Sequence, residues 1–197
     1  YSVLDHIEQV QKRPHMYIGA TAVAKGQHWV YEKTEKCMRL VALFFCQAWH
    51  KLWIELFDNA FDNVQRGTRH VDVSINDRHQ ITVSNDGAGI PVFKHPTIGE
   101  YMATILFSKL CSGSNYNDTE LNRFSLGQNG FGAKLTAIFS SLFHFMCKDV
   151  ERGLILTQQF RDGLTHKEAP VIKKMTNSER KRKKQGWTTV VTFTHNN

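Results

Sequence analysis

The sequence predicts an α+β fold: a two-layer sandwich of a mostly antiparallel sheet with helices on one face. Three observations carry this. Residues 71–75 and 80–84 alternate apolar and polar side chains on either side of Asn76-Asp77-Arg78-His79, the pattern of a hairpin. Residues 47–65 repeat at helical spacing instead and stop at Gly67. The remaining strand-like and helical runs do not alternate as a parallel sheet with crossover helices would require.

In chain order, residues 1–35 read as a polar opening segment with a short helix before Arg13-Pro14. Residues 38–45 read as a strand or a buried run, followed by the long helix and the hairpin. Helical spacing returns over 97–111, and the polar stretch 112–129 suits a lid. Residues 135–143 read as a helix, while Phe145-Met146-Cys147, 155–160 and 188–193 read as strands. No internal repeat or low-complexity linker interrupts the pattern, and 197 residues suit one domain with a proper core.

Composition narrows the class. Hydrophobic content of 41% and charge of 22% are ordinary for a globular chain. The longest apolar run, 40–45, is too short to cross a bilayer, and no signal peptide opens the sequence, so an intracellular protein with no membrane partner is expected. Cys37, Cys46, Cys111 and Cys147 form no Cys-x-x-Cys pair, and the ten histidines form no His-x3-His pair. Neither a disulfide frame nor a transition-metal site is expected. The net charge of +7 is steepest at Arg180-Lys181-Arg182-Lys183-Lys184, after Lys173 and Lys174. A solvated loop between strands accounts for this run first, and a DNA-facing or nuclear-import patch second.

Three segments carry chemistry. In Glu55-Leu56-Phe57-Asp58-Asn59-Ala60-Phe61-Asp62-Asn63, helical geometry puts Glu55, Asn59 and Asp62 on one face, with Asn63 a turn beyond Asn59. Trp53, Phe57, Ala60, Phe61 and Val64 take the opposite side, which suits packing on a core. An amide oxygen can ligate a hard cation such as Mg2+, and a nearby carboxylate can polarise water. Alone, the spacing fits a solvated acidic face better. Next, Asn85-Asp86-Gly87-Ala88-Gly89-Ile90-Pro91 follows a strand directly. Its glycines permit a tight turn and close approach to a flat ligand, Asp86 can accept from an exocyclic amine, and Ile90 can cover a ring. Taken alone, an ordinary turn explains it better. Last, Gly127-Gln128-Asn129-Gly130-Phe131-Gly132-Ala133-Lys134 opens a helix, which aims backbone N–H groups at an anion, with Lys134 adding charge. Ala133 displaces the lysine from the Walker spacing, and the glycine order reverses the dinucleotide fingerprint.

In this order the three segments resemble the gyrase, heat-shock chaperone, histidine kinase and MutL superfamily of ATPases. Further residues look like type IIA DNA topoisomerases in particular. Arg13-Pro14-His15-Met16-Tyr17-Ile18-Gly19 resembles their Arg-Pro-x-Met-Tyr-Ile-Gly segment, and Asn59-Ala60-Phe61-Asp62-Asn63 their Asn-Ala-x-Asp-Asn. Ser112-Gly113-Ser114-Asn115-Tyr116 resembles the eukaryotic serine-rich lid, and 188–193 the strand that closes the ATPase domain. Asp86 is the gyrase-type choice and Gln128 replaces the customary arginine, a mixture similar to the enzymes of large DNA viruses.

The resemblance implies a Bergerat-type fold with ATP between helices and sheet, within one domain over 1–197 and with the lid and phosphate loop at 112–134. It implies Glu55 as general base and Asn59 as the Mg2+ ligand. Asp86 would read the adenine amine with Thr189 in support, beside Ile90. Asn63 would lie near ribose and phosphates, and Ser114 and Asn115 would contribute from the lid. Gly127, Gln128, Asn129, Gly130, Phe131, Gly132, Ala133 and Lys134 would wrap the triphosphate. It further implies DNA as partner of the full-length enzyme and a homodimer formed through the ATPase gate on nucleotide binding. The transducer domain, with a lysine for the γ-phosphate, and the DNA-cleavage domain would lie outside this sequence. The nucleus, or the host cytoplasm for a viral enzyme, is the implied location. A chaperone or MutL-type ATPase would lack the Arg-Pro-x-Met-Tyr-Ile-Gly segment, and a basic nucleic-acid-binding module would leave the glycine pattern idle.

Overall fold

The computed structural model describes residues 5–110, 131–181 and 186–195. Helix α1, His6–Lys12, starts where the Asp5 carboxylate accepts from the Glu8 amide at 2.8 Å, satisfying an orphan N–H of its first turn. A 3-10 turn, Pro14–Met16, follows. Strands β1, Ala24–Glu32, and β2, Cys37–Phe45, form a separate two-stranded antiparallel sheet with Trp29 opposite Leu40 and Tyr31 opposite Met38. Strand β1 lies within the segment expected to be a polar opening, 1–35. Ala24–Glu32 has no clean alternation, and only its pairing with β2 makes it a strand.

Helix α2, Gln47–Asp62, runs into a 3-10 turn, Asn63–Arg66, and ends at Gly67 in the left-handed region (φ 90), which glycine adopts without Cβ strain. Its buried side chains are Ala48, Leu52, Leu56 and Ala60, spaced four residues apart. The expected core face was different: Phe61 is 50% and Val64 47% exposed, and Trp53 and Phe57 are half-buried. These rings instead continue an outer ladder from His28 and Phe45 through His50 to Trp53, Phe57 and Phe61, with centroid separations of 4.4 to 6.4 Å.

Strands β3 (Val71–Ile75) and β4 (Ile81–Asn85) form the expected hairpin. They join β5 (Ser140–Asp149), β6 (Leu154–Arg161), the two-residue β7 (His166–Lys167), β8 (Val171–Lys174) and β9 (Thr189–His195). The order is β3-β4-β9-β5-β6-β7, with β8 also on β6, and every pairing is antiparallel. The last strand in sequence therefore lies in the middle of the sheet. Phe143, Phe145, Phe160 and Phe193 are at most 1% exposed and belong to the core, where Phe107 packs on Phe143 and Phe145. Burying such rings stabilises by about 2–3 kcal/mol each before entropy is counted.

Helix α3, Met102–Ser108, occupies the middle of the expected 97–111 segment. Helix α4, Gly132–Ile138, begins three residues before the expected 135–143 and ends five earlier. Side chains of 140–149 largely alternate between buried and half-buried, so pairing with β6 and β9 claims 140–143 as strand. The Thr136 hydroxyl donates to Leu52 O at 2.8 Å and fixes α4 on α2. Helix α5, Asn177–Lys181, begins the basic run. No described helix is long and apolar enough to cross a membrane.

Candidate nucleotide site

Strand parity decides which polar groups enter the space between sheet and helices. Along β4, Ile81 (1% exposed) and Val83 (4%) face the core, so Asn85 (6%) faces the same way. On β9 the corresponding column is Thr189, Val191 and Phe193. Asn85 pairs with Thr189, which pairs with Cys147 on β5. An amide and a hydroxyl thus sit side by side at the end of an otherwise apolar surface.

The loop after Asn85 is pinned from several directions. Asn85 O accepts from the Thr188 amide at 2.8 Å, and Gly87 O accepts from the Thr188 hydroxyl at 2.7 Å. Asn63 Nδ2 donates to Ala88 O at 3.0 Å and to Asn85 Oδ1 at 3.1 Å. The two glycines have packing reasons. A Cβ on Gly87 would lie 2.1 Å from Thr68 Oγ1 and 2.7 Å from Asn63 Nδ2, and one on Gly89 would lie 1.9 Å from Lys148 O. Their close approach is to the protein itself. The buried Asp149 carboxylate accepts from the Val92 amide at 2.8 Å and from Arg152, tethering the far end of the loop to the β5–β6 turn.

Asp86 is engaged by the segment that precedes β3. Its carboxylate accepts from the Arg69 amide (2.8 Å), the His70 amide (2.9 Å) and the His70 ring (Nδ1, 2.7 Å). Burial alone would raise its pKa, but these donors outweigh burial and hold it at about 2. The residue after a core-facing strand position turns to the other side, where Asp86 lines a cleft of about 630 Å³ with Arg66, Arg69, Lys148 and Arg152. The acceptor facing the core side is Asn85. Continuing the parity of Ile81 and Val83 by two residues reaches Asn85.

On α2, Lys51 and Glu55 form an ion pair, with the Glu55 side chain 18% exposed. The Glu55 carboxylate lies against the start of α4: a Cβ at Gly132 would fall 1.9 Å from Glu55 Oε2. Asn59 Nδ2 donates to Glu55 O at 2.7 Å, so the nitrogen end is held by the helix and the oxygen is left as a ligand atom on the exposed side. A neutral hard oxygen of this kind fits Mg2+. The structure thus brings Glu55 to Gly132, the first residue of α4. Ile90 and Phe131 are half-buried against the core, Ala133 is buried, and Lys134 is only 3% exposed. Ser114, Asn115, Gly127, Gln128, Asn129 and Gly130 lie outside the described residues.

Residues 47–194 match the family model for histidine kinase-, DNA gyrase B- and HSP90-like ATPases. The chain belongs to this ATPase family. Within it, the chain is 36% identical over 182 residues to DNA topoisomerase 2 of Arabidopsis thaliana, covering 91% of this chain and 12% of that one. The ATPase and transducer domains of DNA topoisomerase II from Balamuthia mandrillaris superpose with a TM-score of 0.93 at 37% identity, over 99% of this chain and 49% of theirs. The ATPase region of Saccharomyces cerevisiae topoisomerase II gives 0.90 at 31% identity, over 99% of this chain and 50% of that one. The chain thus spans 10–12% of the length of the relatives it matches. Those structures share this ATPase's α+β architecture.

Proposed function

We propose that this chain is the ATP-binding domain of a type II DNA topoisomerase, in which Mg-ATP drives closure of a dimeric gate for duplex passage. The observation that carries the reading is Glu55, which stands against Gly132 where the glycine-rich segment enters α4. A carboxylate there is next to the anion-accepting end of that segment, where a water attacking a terminal phosphate needs a base. Similarity along 99% of the chain to topoisomerase II ATPase regions supports it.

In this reading Glu55 polarises the water while Lys51 restrains its carboxylate. Asn59 supplies the protein oxygen for Mg2+, which when bound would neutralise charge on the β- and γ-phosphates. Asn85, with Thr189 beside it, reads the base, replacing Asp86 in that role. Ile90 covers the ring, and 127–134 surrounds the triphosphate. DNA and a second copy of the chain are the partners of the complete enzyme. The nucleus is the proposed location, or the host cytoplasm for a viral enzyme, a source that the mixed Asp86 and serine-rich signature supports. ATP with Mg2+ should raise the thermal midpoint of this domain, and the complete protein should relax supercoiled DNA. Absence of a shift refutes the nucleotide site, and ATP-dependent folding activity without relaxation would favour the chaperone branch.

A further inference from the structure

An asparagine that reads a purine has an ambiguity that an aspartate lacks. Its amide edge carries one acceptor and one donor. Turned one way, it complements the 6-amino and N1 positions of adenine; flipped by half a turn, it complements the 6-oxo and N1–H of guanine. Something other than Asn85 must therefore choose the orientation.

Asn63 is placed to do so. Ala88 O can only accept, so the atom of Asn63 that meets it at 3.0 Å is the nitrogen. The same nitrogen has a second hydrogen, directed at the Asn85 amide 3.1 Å away, so the end of Asn85 that receives it must be oxygen. The chain of inference starts at a backbone carbonyl and leaves neither amide free to choose. Asn85 itself is held at both ends of its backbone by β4–β9 pairing and by Thr188. The neighbourhood is also too crowded to relax: Thr68 Oγ1 and Asn63 Nδ2 both lie within 3 Å of where Gly87 would carry a Cβ. The Thr68 hydroxyl is buried there without a hydrogen-bond partner, so it does not compete for the Asn85 amide.

We propose that Asn63 is a positioning residue that fixes the Asn85 amide in the adenine-reading orientation and so sets the preference of the site for 6-amino over 6-oxo purine nucleotides. This rests on the nucleotide-binding reading above. An amide oxygen has two lone pairs, so accepting from Asn63 leaves one for the base.

The test measures binding of ATP, GTP and inosine triphosphate, with Mg2+, to wild type, Asn63→Ala and Asn63→Asp, after thermal melts establish that each is folded. Asn63→Ala frees the amide to flip, and the ATP-over-GTP and ATP-over-ITP ratios should fall about tenfold, the scale of one misdirected base contact. Asn63→Asp replaces the donor with an acceptor, which turns the Asn85 nitrogen toward position 63, and should lower both ratios further. Thr68→Val, which alters the same crowded space without touching the amide pair, should leave the ratios unchanged. Parallel loss of all three nucleotides in the Asn63 variants, or ratios unmoved by Asn63→Asp, would overturn the proposal while leaving the nucleotide site intact. Failure of wild type to bind any of them would remove the nucleotide reading itself.

Discussion

The Asp86 carboxylate accepts two backbone amides and the His70 ring, and its pKa is held at about 2, below the ordinary 3.8. A carboxylate with a depressed folded-state pKa stabilises the fold above its unfolded pKa, and that contribution is lost as pH falls toward the folded value. With His70 exposed, the gain at neutral pH is about 1–2 kcal/mol after allowing for solvent screening. Asp86→Asn should therefore lower stability in urea melts at pH 7, with the gap to wild type narrowing by about half at pH 3. A gap constant with pH would show that shape and not charge holds the Arg69-His70 segment. Binding of ATP should be weakened less by Asp86→Ala than by Asn85→Ala, the reverse of what the sequence suggested. On α2, Glu55→Gln should still bind nucleotide while the full-length enzyme loses about two to four decades of turnover. Unchanged turnover would pass the role to Asp58, whose carboxyl is raised by burial and by Glu55. Asn59→Ala should abolish the Mg2+ dependence of binding seen by calorimetry.

Elements divide into those that hold the site and one that lies outside it. The start of α4 has no room for a side chain, because a Cβ on Gly132 would meet Glu55 Oε2 at 1.9 Å and Glu55 Cβ at 3.1 Å. Gly132→Ala improves helix propensity by up to about 1 kcal/mol, so global stability should change little. The displaced group is the proposed base, and turnover should fall well before binding does. A variant with wild-type turnover would show that Glu55 moves without consequence. The β1–β2 sheet behaves differently. Trp29 (66% exposed), Phe44 (73%), Tyr31 (55%), Met38 (54%) and Leu40 (52%) share one face by register, and that face has no cover within the described chain. Trp29→Ser and Phe44→Ser should change the stability of this domain by less than about 0.5 kcal/mol, whereas Leu52→Ala, at 0% exposure, should cost about 2–5 kcal/mol. Denaturant melts of the three variants check the contrast.

For the whole molecule, the proposed function puts nucleotide binding within this chain and would have gate closure and a γ-phosphate lysine supplied by the complete enzyme. Residues 1–197 should accordingly bind ATP and hydrolyse it far more slowly than the complete enzyme, as a turnover assay beside calorimetry would show. Equal rates would remove the need for gate closure.

Periodicity and turn chemistry made α2, the 71–85 hairpin and the strands at 154–161 and 189–195 legible, since each is specified by its own residues: alternation, helical repeat, or a glycine stop. The ordered motifs likewise made the ATPase family legible, and helical spacing alone puts Glu55 and Asn59 on one stripe. Other features depend on partners distant in sequence. Pairing with β2 made a strand of Ala24–Glu32, and pairing with β6 and β9 took 140–143 from a helix. Which side of α2 is core was decided by where the sheet lay, so four-step small and aliphatic residues went inside while Phe61 and Val64 stayed exposed. The choice between Asn85 and Asp86 was of the same kind. Adjacent residues at a strand end point to opposite sides, and only the assembled sheet sets Thr189 beside Asn85 and His70 beside Asp86.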